Sequence, residues 1–339
     1  MNFKELFRIS FLIFFCVTVA FISDNAEAKT ELRMVGFLPM SHQLTKTALI
    51  IKDEIEKNSK GEVEIKFYPA QQLYNHKSSV AVLQKGGVEM GMVQLGFWTG
   101  VVPSVSSLAF MTFYNNFDHF KAVMDGAPGD MFRKDFEEMA NLKVLGWANY
   151  GKLEIASKKP IRTLKDFKGM RIRGTGADCA LWLQGVGAGP VTMNSGEVYQ
   201  ALQRGTVDAA VSGPSSFDQR KWYEVTKYNT NSAIAPVWPY FMVVHKDTWN
   251  KLTPELQKIF IDAHKKAEEY NLSTAAEEDH LAEAKLLELG MVRNDIPSEE
   301  LARWREKGMP KILKTYKKRV GEAKAQKILD AIEVLRKDF

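Results

Sequence analysis

Apolar and polar positions change period several times along the chain, and each change marks an element. Residues 63–68 read V-E-I-K-F-Y, an alternation of period two that predicts a strand with one wet face. Residues 31–38 and 143–150 predict further strands, and residues 152–157 continue from the latter. Ser41 starts a predicted helix with apolar positions at Leu44, Leu49, Ile50 and Ile55, ended by Asn58-Ser59-Lys60-Gly61. Strand, helix, strand is the α/β pattern. Residues 108–113 form an apolar run, and residues 118–124 read as helix. In Met170-Arg171-Ile172-Arg173 alternation puts both arginines on one face, and an apolar helix follows from Ala180. Asn194 and Glu197 have capping-box spacing ahead of a helix over 198–204. Thr253-Pro254-Glu255 is a strong helix start, and no Gly or Pro follows until Gly290. A helix of that length spans ~50 Å, more than one small lobe, so it either braces both halves of the molecule or kinks. Ser298 caps another predicted helix, and residues 322–337 form the last one.

One phrase occurs twice. Residues 83–89 and 202–208 share L-Q-[K/R]-G-x-V-[E/D]. Lys85 and Arg204 suit the negative end of a helix, and Gly86 and Gly205 accept the left-handed conformation just beyond it. Val88 and Val207 then open short apolar runs that read as buried strands. The same helix–turn–strand unit, repeated about 120 residues apart, predicts two similar α/β lobes with a ligand cleft between them.

The ends and the composition narrow the class. Lys4 and Arg8 precede an uncharged run over residues 9–22, followed by Ala26-Glu27-Ala28, so residues 1–28 are expected to be a secretory signal peptide cleaved after Ala28. The run is too short for a spanning helix, which needs ~20 apolar residues. Bulky Phe14 and Phe15 before Cys16 argue against lipid attachment there. Cleavage leaves 311 of 339 residues, enough for two domains, and places the protein in the periplasm. Losing two basic and three acidic residues raises the formal net charge from +5 to +6. The charges are interspersed, which excludes a nucleic-acid arm and suits a protein that handles small anions. Cys179 alone remains, so no internal disulfide forms and stability rests on core burial.

Arg173 is the sharpest candidate for chemistry. It ends a predicted strand before Gly174-Thr175-Gly176, where α/β proteins bind ligands, and its planar fork grips a carboxylate by two hydrogen bonds. Arg171 shares that face with nothing else to single it out. The glycines at 174, 176, 185, 187 and 189 never complete G-x-G-x-x-G, so tight turns are expected rather than a dinucleotide loop. The six histidines show no metal-ligand spacing, and neither a metal nor a cofactor is expected. No G-x-S-x-G or H-E-x-x-H occurs, and Ser215 and Ser216 after Pro214 read as a solvated turn. An enzyme is therefore not expected. Trp98, Tyr114, Phe217, Trp238 and Tyr240 lie near predicted strand ends, where some would line an apolar pocket.

Longer motifs carry a resemblance. Residues 159–173 read K-P-I-R-T-L-K-D-F-K-G-M-R-I-R, and residues 196–208 read G-E-V-Y-Q-A-L-Q-R-G-T-V-D. With Tyr68-Pro69-Ala70-Gln71-Gln72-Leu73 and Trp222-Tyr223-Glu224-Val225-Thr226-Lys227-Tyr228, they resemble the solute-receptor subunits of TRAP transporters over nearly the whole mature chain. The resemblance implies a two-lobed periplasmic binding protein fold, with a long helix bracing both lobes. It implies capture of a small organic acid and delivery to TRAP-type membrane permease subunits, by a receptor expected to be a monomer. It implies Arg173 as the partner of the ligand carboxylate, with Ser212, Gln94, His76 and Ser195 at matching pocket positions. Trp238 and Tyr150 complete the expected ligand-binding set. Leu153 stands where some relatives carry a second Arg, so recognition of the sialic-acid type is not expected, and the E-W pair of metal-using keto-acid binders is absent. A monocarboxylate or a small aromatic or aliphatic acid is expected. Lobe I is expected to hold residues 29–150 plus about 240–285, and lobe II residues 151–239 plus about 286–339. The competing functions are the binding protein of an ATP-driven importer and an exported α/β hydrolase.

Overall fold

The computed structural model describes residues 29–108, 114, 116–235 and 237–338. The expected signal peptide, and all of the apolar run 108–113 except Leu108, lie outside the described residues. Two mixed sheets form the α/β architecture. The first holds β1 (Thr30–Val35), β2 (Val63–Tyr68), β3 (Met90–Gln94), β4 (Leu142–Asn149) and β10 (Pro239–His245), in the order β2-β1-β3-β10-β4. The second holds β5 (Leu153–Ser157), β6 (Arg171–Gly174), β7 (Gly189–Thr192), β8 (Ala209–Ser212), β9 (Tyr228–Ala235) and β11 (Val292–Asp295), in the order β11-β9-β5-β8-β6-β7.

The repeated phrase marks a repeated topology. β1, helix Gln43–Asn58, β2, helix His76–Gln84 and β3 correspond to β6, helix Ala177–Gly185, β7, helix Val198–Gln203 and β8. Gly86 and Gly205 both take the left-handed conformation, at φ 68° and 72°. Val88 and Val207 are fully buried, two residues before their strands begin. In each sheet the last strand of the unit lies between a parallel partner and an antiparallel one: β3 between β1 and β10, β8 between β6 and β5. Within each unit the strand order reverses, β2-β1-β3 and β7-β6-β8, so the switch points at which α/β sheets bind ligands lie between β1 and β3 and between β6 and β8.

The chain crosses between the sheets where β4 gives way to β5, where β9 gives way to β10, and between β10 and β11. The first crossing is clamped. Asn271 Oδ1 accepts from Asn149 N at 2.6 Å, and Asn271 Nδ2 donates to Asn149 O at 3.0 Å. Asp279 Oδ2 accepts from Lys152 N at 2.8 Å. Gly151, at φ +111°, has Asp279 so close that a Cβ would lie 2.3 Å from its Oδ2. Both clamps come from one unbroken helix, Pro254–Glu288, with Thr253 as its N-cap accepting from Leu256 N. This helix packs on helix Gln43–Asn58 and β4 at one end and on helix Pro214–Gln219 at the other, so it braces the two halves without a break.

After β11, helix Ser298–Val320 packs on helix Ala177–Gly185, where Trp304, Phe167 and Trp182 meet edge to face. Helix Glu322–Arg336 instead packs on helices Phe117–Asp125 and Ala127–Met139, beside the first sheet. The sequence grouped everything after about residue 286 with the second lobe. The last helix departs from that grouping because its buried face, Ala325, Ile328 and Ile332, fits helices of the first.

Candidate functional site

The C-terminal ends of β1, β3, β6 and β8 face one another across the boundary between the sheets. The two halves meet there through backbone. A Cβ on Gly96 would lie 2.6 Å from Thr175 O, and one on Gly176 would lie 2.4 Å from Gly96 O. Gln71 Nε2 donates to Ser195 Oγ at 3.1 Å, and Arg220 Nη2 donates to Phe37 O at 3.2 Å, both across the same boundary.

Arg173 sits inside it, only 2% exposed. Its Nη1 donates to Val211 O at 2.9 Å and its Nε to Met193 O at 3.3 Å, which fixes the plane of the guanidinium. No Asp or Glu pairs with it among the described residues, and burial pulls its pKa down to about 10. Arg171, on the same face of the strand, is exposed and spends its charge on Asp208.

Tyr150, at the first crossing, is tied to the end of β8, next to the carbonyl that holds Arg173. Its hydroxyl donates to Ser216 Oγ at 2.7 Å and accepts from Gly213 N at 3.1 Å. Its one proton is then committed, so the 2.9 Å contact with Ser212 Oγ is donated by Ser212. Tyr150 stacks on Tyr240 and on His42, with centroids 5.8 and 5.0 Å apart. His76 is stacked between Phe37 and Phe97 at 4.2 and 4.9 Å. Burial, and then the charges of Arg173 and Arg220, hold its pKa well below the usual imidazole value. His76 is therefore a neutral donor or acceptor, not a third cation.

Of the residues picked from the sequence, Arg173, Tyr150, Ser212 and His76 converge. Gln94 ends β3 opposite Tyr240 and is buried. Trp238 lies against Gly96, and its indole Nε1 is buried without a partner among the described residues. Ser195 is placed differently, at the edge, where it holds Gln71 rather than the arginine. The other aromatic candidates serve packing: Trp98 against Phe136, Phe217 against Trp222, and Tyr114 against Phe120 with its hydroxyl donating to Ser107 O. The Asn194 side chain donates to Glu197 Oε1 instead of capping a backbone N–H, and residues 195–197 form a 3₁₀ turn.

Two features of the site carry no signal in the sequence. Arg220, after helix Pro214–Gln219, is half-buried, with desolvation lowering its pKa and its buried Nε lacking a partner among the described residues. Ser215 and Ser216, expected in a solvated turn, are buried at 3% and 2% in that helix. Ser215 Oγ lies 3.3 Å from His42 Nε2. The pair looks like a nucleophile with its base, but His42 Nδ1 accepts from Leu44 N at 3.1 Å as the helix cap. Nε2 must then carry the proton and donate to Ser215. Burial drops the His42 pKa to about 3, so this imidazole is not a competent base. No group of His, Cys, Asp and Glu suited to a metal occurs among the described residues. No described helix is long and apolar enough to cross a membrane.

Relatives share this architecture. The sialic acid-binding periplasmic protein SiaP of Vibrio cholerae is 26% identical over 243 residues, covering 70% of this chain and 75% of that protein. The C4-dicarboxylate-binding periplasmic protein DctP of Rhodobacter capsulatus is 27% identical over 264 residues, covering 77% and 79%. Among solved structures, a TRAP periplasmic solute-binding protein of Desulfovibrio salexigens with bound orotic acid superposes with a TM-score of 0.86 at 23% identity, covering 91% of this chain and 99% of that one. One from Sulfitobacter with bound β-D-galacturonate gives 0.82 at 22%, covering 91% and 100%. The model of the family described as bacterial extracellular solute-binding protein, family 7, matches residues 34–319, and the chain belongs to that family.

Proposed function

We propose that this receptor closes on a small organic acid between its two lobes and delivers it to TRAP-type permease subunits in the membrane. The observation that carries the reading is Arg173, a buried guanidinium at a strand end, oriented by two carbonyls and paired with no carboxylate among the described residues. Its open valence calls for an anion from outside. Acids are what the named relatives bind, which supports the same class here. The ligand set proposed is Arg173, Tyr150, Ser212, His76, Gln94 and Trp238, with Ser195 joining the lobes at the edge. Lobe I comprises residues 29–150 and about 240–285, to which the helix Glu322–Arg336 adds itself. Lobe II comprises residues 151–239 and about 286–320. Export with cleavage after Ala28, a periplasmic location and a monomeric state complete the proposal. The commitment of His42 to its helix cap supports a receptor rather than an exported hydrolase.

Native mass spectrometry of the purified protein tests the ligand class. The expected result is a bound small acid that Arg173→Ala no longer retains. Retention of a neutral solute, or equal retention by the variant, would overturn the assignment.

A further inference from the structure

We infer that the ligand carries two anionic groups, one held by Arg173 and the other by Arg220. This rests on the receptor reading above and narrows it, because a single carboxylate leaves one of the two guanidiniums without a counter-charge.

Both arginines belong to one site. The phenols of Tyr150 and Tyr240 lie within electrostatic reach of both guanidiniums, and so does the imidazole of His76. Arg173 reaches the site from the end of β6 and Arg220 from the end of helix Pro214–Gln219, touching Phe37 of the first lobe. Burial lowers both pKa values, and the charge of Arg220 depresses Arg173 further. Other arginines of this chain find carboxylates: Arg33 pairs with Glu89, Arg171 with Asp208, Arg293 with Glu283 and Asp295, and Arg303 with Glu300. Arg173, fully buried, and Arg220, half-buried, pair with none among the described residues. Their bonds to Val211, Met193 and Phe37 are to carbonyl dipoles, which orient a cation but do not neutralise it.

His76 and His42 add no charge, since burial holds both neutral. The site therefore presents two positive charges, with buried donors still open at Arg220 Nε and Trp238 Nε1. A dicarboxylate, or a carboxylate that also bears a phosphate, supplies the missing charge. The stacked Tyr150–Tyr240 and Phe37–His76–Phe97 rings offer flat apolar surface to the carbon skeleton between the two acids.

Titration calorimetry on the full mature protein, stripped of any retained ligand, tests this. The probes are aliphatic and aromatic dicarboxylates and phosphorylated hydroxy acids. Each is paired with its singly charged partner, a monomethyl ester or the free hydroxyl. The expected result is a preference of at least about tenfold for the doubly charged member of the best pair. The carboxylate and phosphate arms show which second anion fits. In Arg220→Gln the ratio should fall to about twofold or less, and in Arg220→Lys, which keeps the charge, much of it should remain. Arg173→Gln should weaken both members together. Equal affinity of wild type for both members of every pair, or an Arg220→Gln variant that keeps the full ratio, overturns the second-anion assignment and leaves the receptor reading standing. Failure of every acid, singly or doubly charged, overturns both.

Discussion

Replacing Gly96 by Ala places a methyl group where the two lobes touch. A Cβ there lies 2.6 Å from Thr175 O and 3.3 Å from the Trp238 ring. An ordinary carbon–oxygen contact is about 3.3 Å, so the lobes must part by roughly 0.7 Å at this point. The obstacle is backbone, and Gly176 on the other side stands at φ +140° with Gly96 O against it, so rotating a side chain relieves nothing. Overpacking of this kind typically costs ~1–3 kcal/mol. The clash exists only when the lobes meet, so the cost falls on closure rather than on the fold of either lobe. Ligand affinity should drop by roughly 5- to 150-fold. Calorimetry with the wild-type ligand measures that drop, and small-angle scattering should show a liganded radius larger than that of the wild type. Gly100→Ala is the control, since nothing lies within 4 Å of a Cβ there. Wild-type affinity in Gly96→Ala would refute the reasoning. A large fall in the melting temperature of the unliganded variant would move the contact into the fold itself.

Three further outcomes are expected. Arg173→Lys keeps the charge but cannot meet Val211 O, Met193 O and an acid with one fork, so affinity should fall by about tenfold or more in calorimetry, and wild-type binding would refute the bidentate role. Tyr150→Phe removes the shared partner of Ser212, Ser216 and Gly213, with an expected loss of ~1–3 kcal/mol of stability in urea unfolding. Glu154→Gln acts through pH. Glu154 is fully buried beside the first crossing, and burial raises its pKa, as it raises that of Asp279 to about 7. Such carboxyls hold protons in the folded state that the unfolded chain releases above ~4.3, so stability falls as pH rises from there towards ~7 and then levels off. The variant should match wild type near pH 4 and exceed it at pH 8 in thermal melts, and the opposite ordering would show that Glu154 is a favourable ion-pair partner of Lys152.

Local chemistry made much of the fold legible. The alternation over 63–68 is β2, because one sheet face is wet there and period-two patterning survives. Gly86 and Gly205 announced both helix ends, since only a left-handed residue lets the chain turn back into a strand. Arg173 was legible because a basic residue at a strand end before a glycine turn has few structural uses. Arg220 was not. At a helix C-terminus a basic residue already has a use, complementing the helix dipole, and its neighbours Asp218 and Lys221 make the stretch read as surface. Its carbonyl partner, Phe37, lies far away in sequence. Ser215 and Ser216 read as solvated positions for the same reason, because the groups that bond them, His42 and Tyr150, come from other elements. The docking of the last helix on the first lobe likewise depends on a surface that no local pattern reveals.

The site also explains why closure should wait for ligand. The clamps at the crossing, Asn271 on Asn149 and Asp279 on Lys152, join one helix to the chain beside it and ask nothing of the cleft. The contacts that closure itself makes include Gly96 on Thr175 and Gly176, Gln71 on Ser195, Ser215 on His42, and Arg220 on Phe37. Against them stands the burial of the Arg173 guanidinium and the partial burial of Arg220, with no carboxylate paired to either among the described residues, a desolvation cost of several kcal/mol for the fully buried ion and less for the other. The empty receptor should therefore rest open. Turning a 1:99 equilibrium into 99:1 takes about 5.5 kcal/mol of differential binding. A hydrogen bond to a charged group contributes ~1.5–3 kcal/mol. One monodentate contact falls short of that total, and a bidentate carboxylate on Arg173 barely reaches it. An acid on each arginine passes it with a margin. The same two charges that make the empty closed form costly thus make closure a response to the ligand's charge.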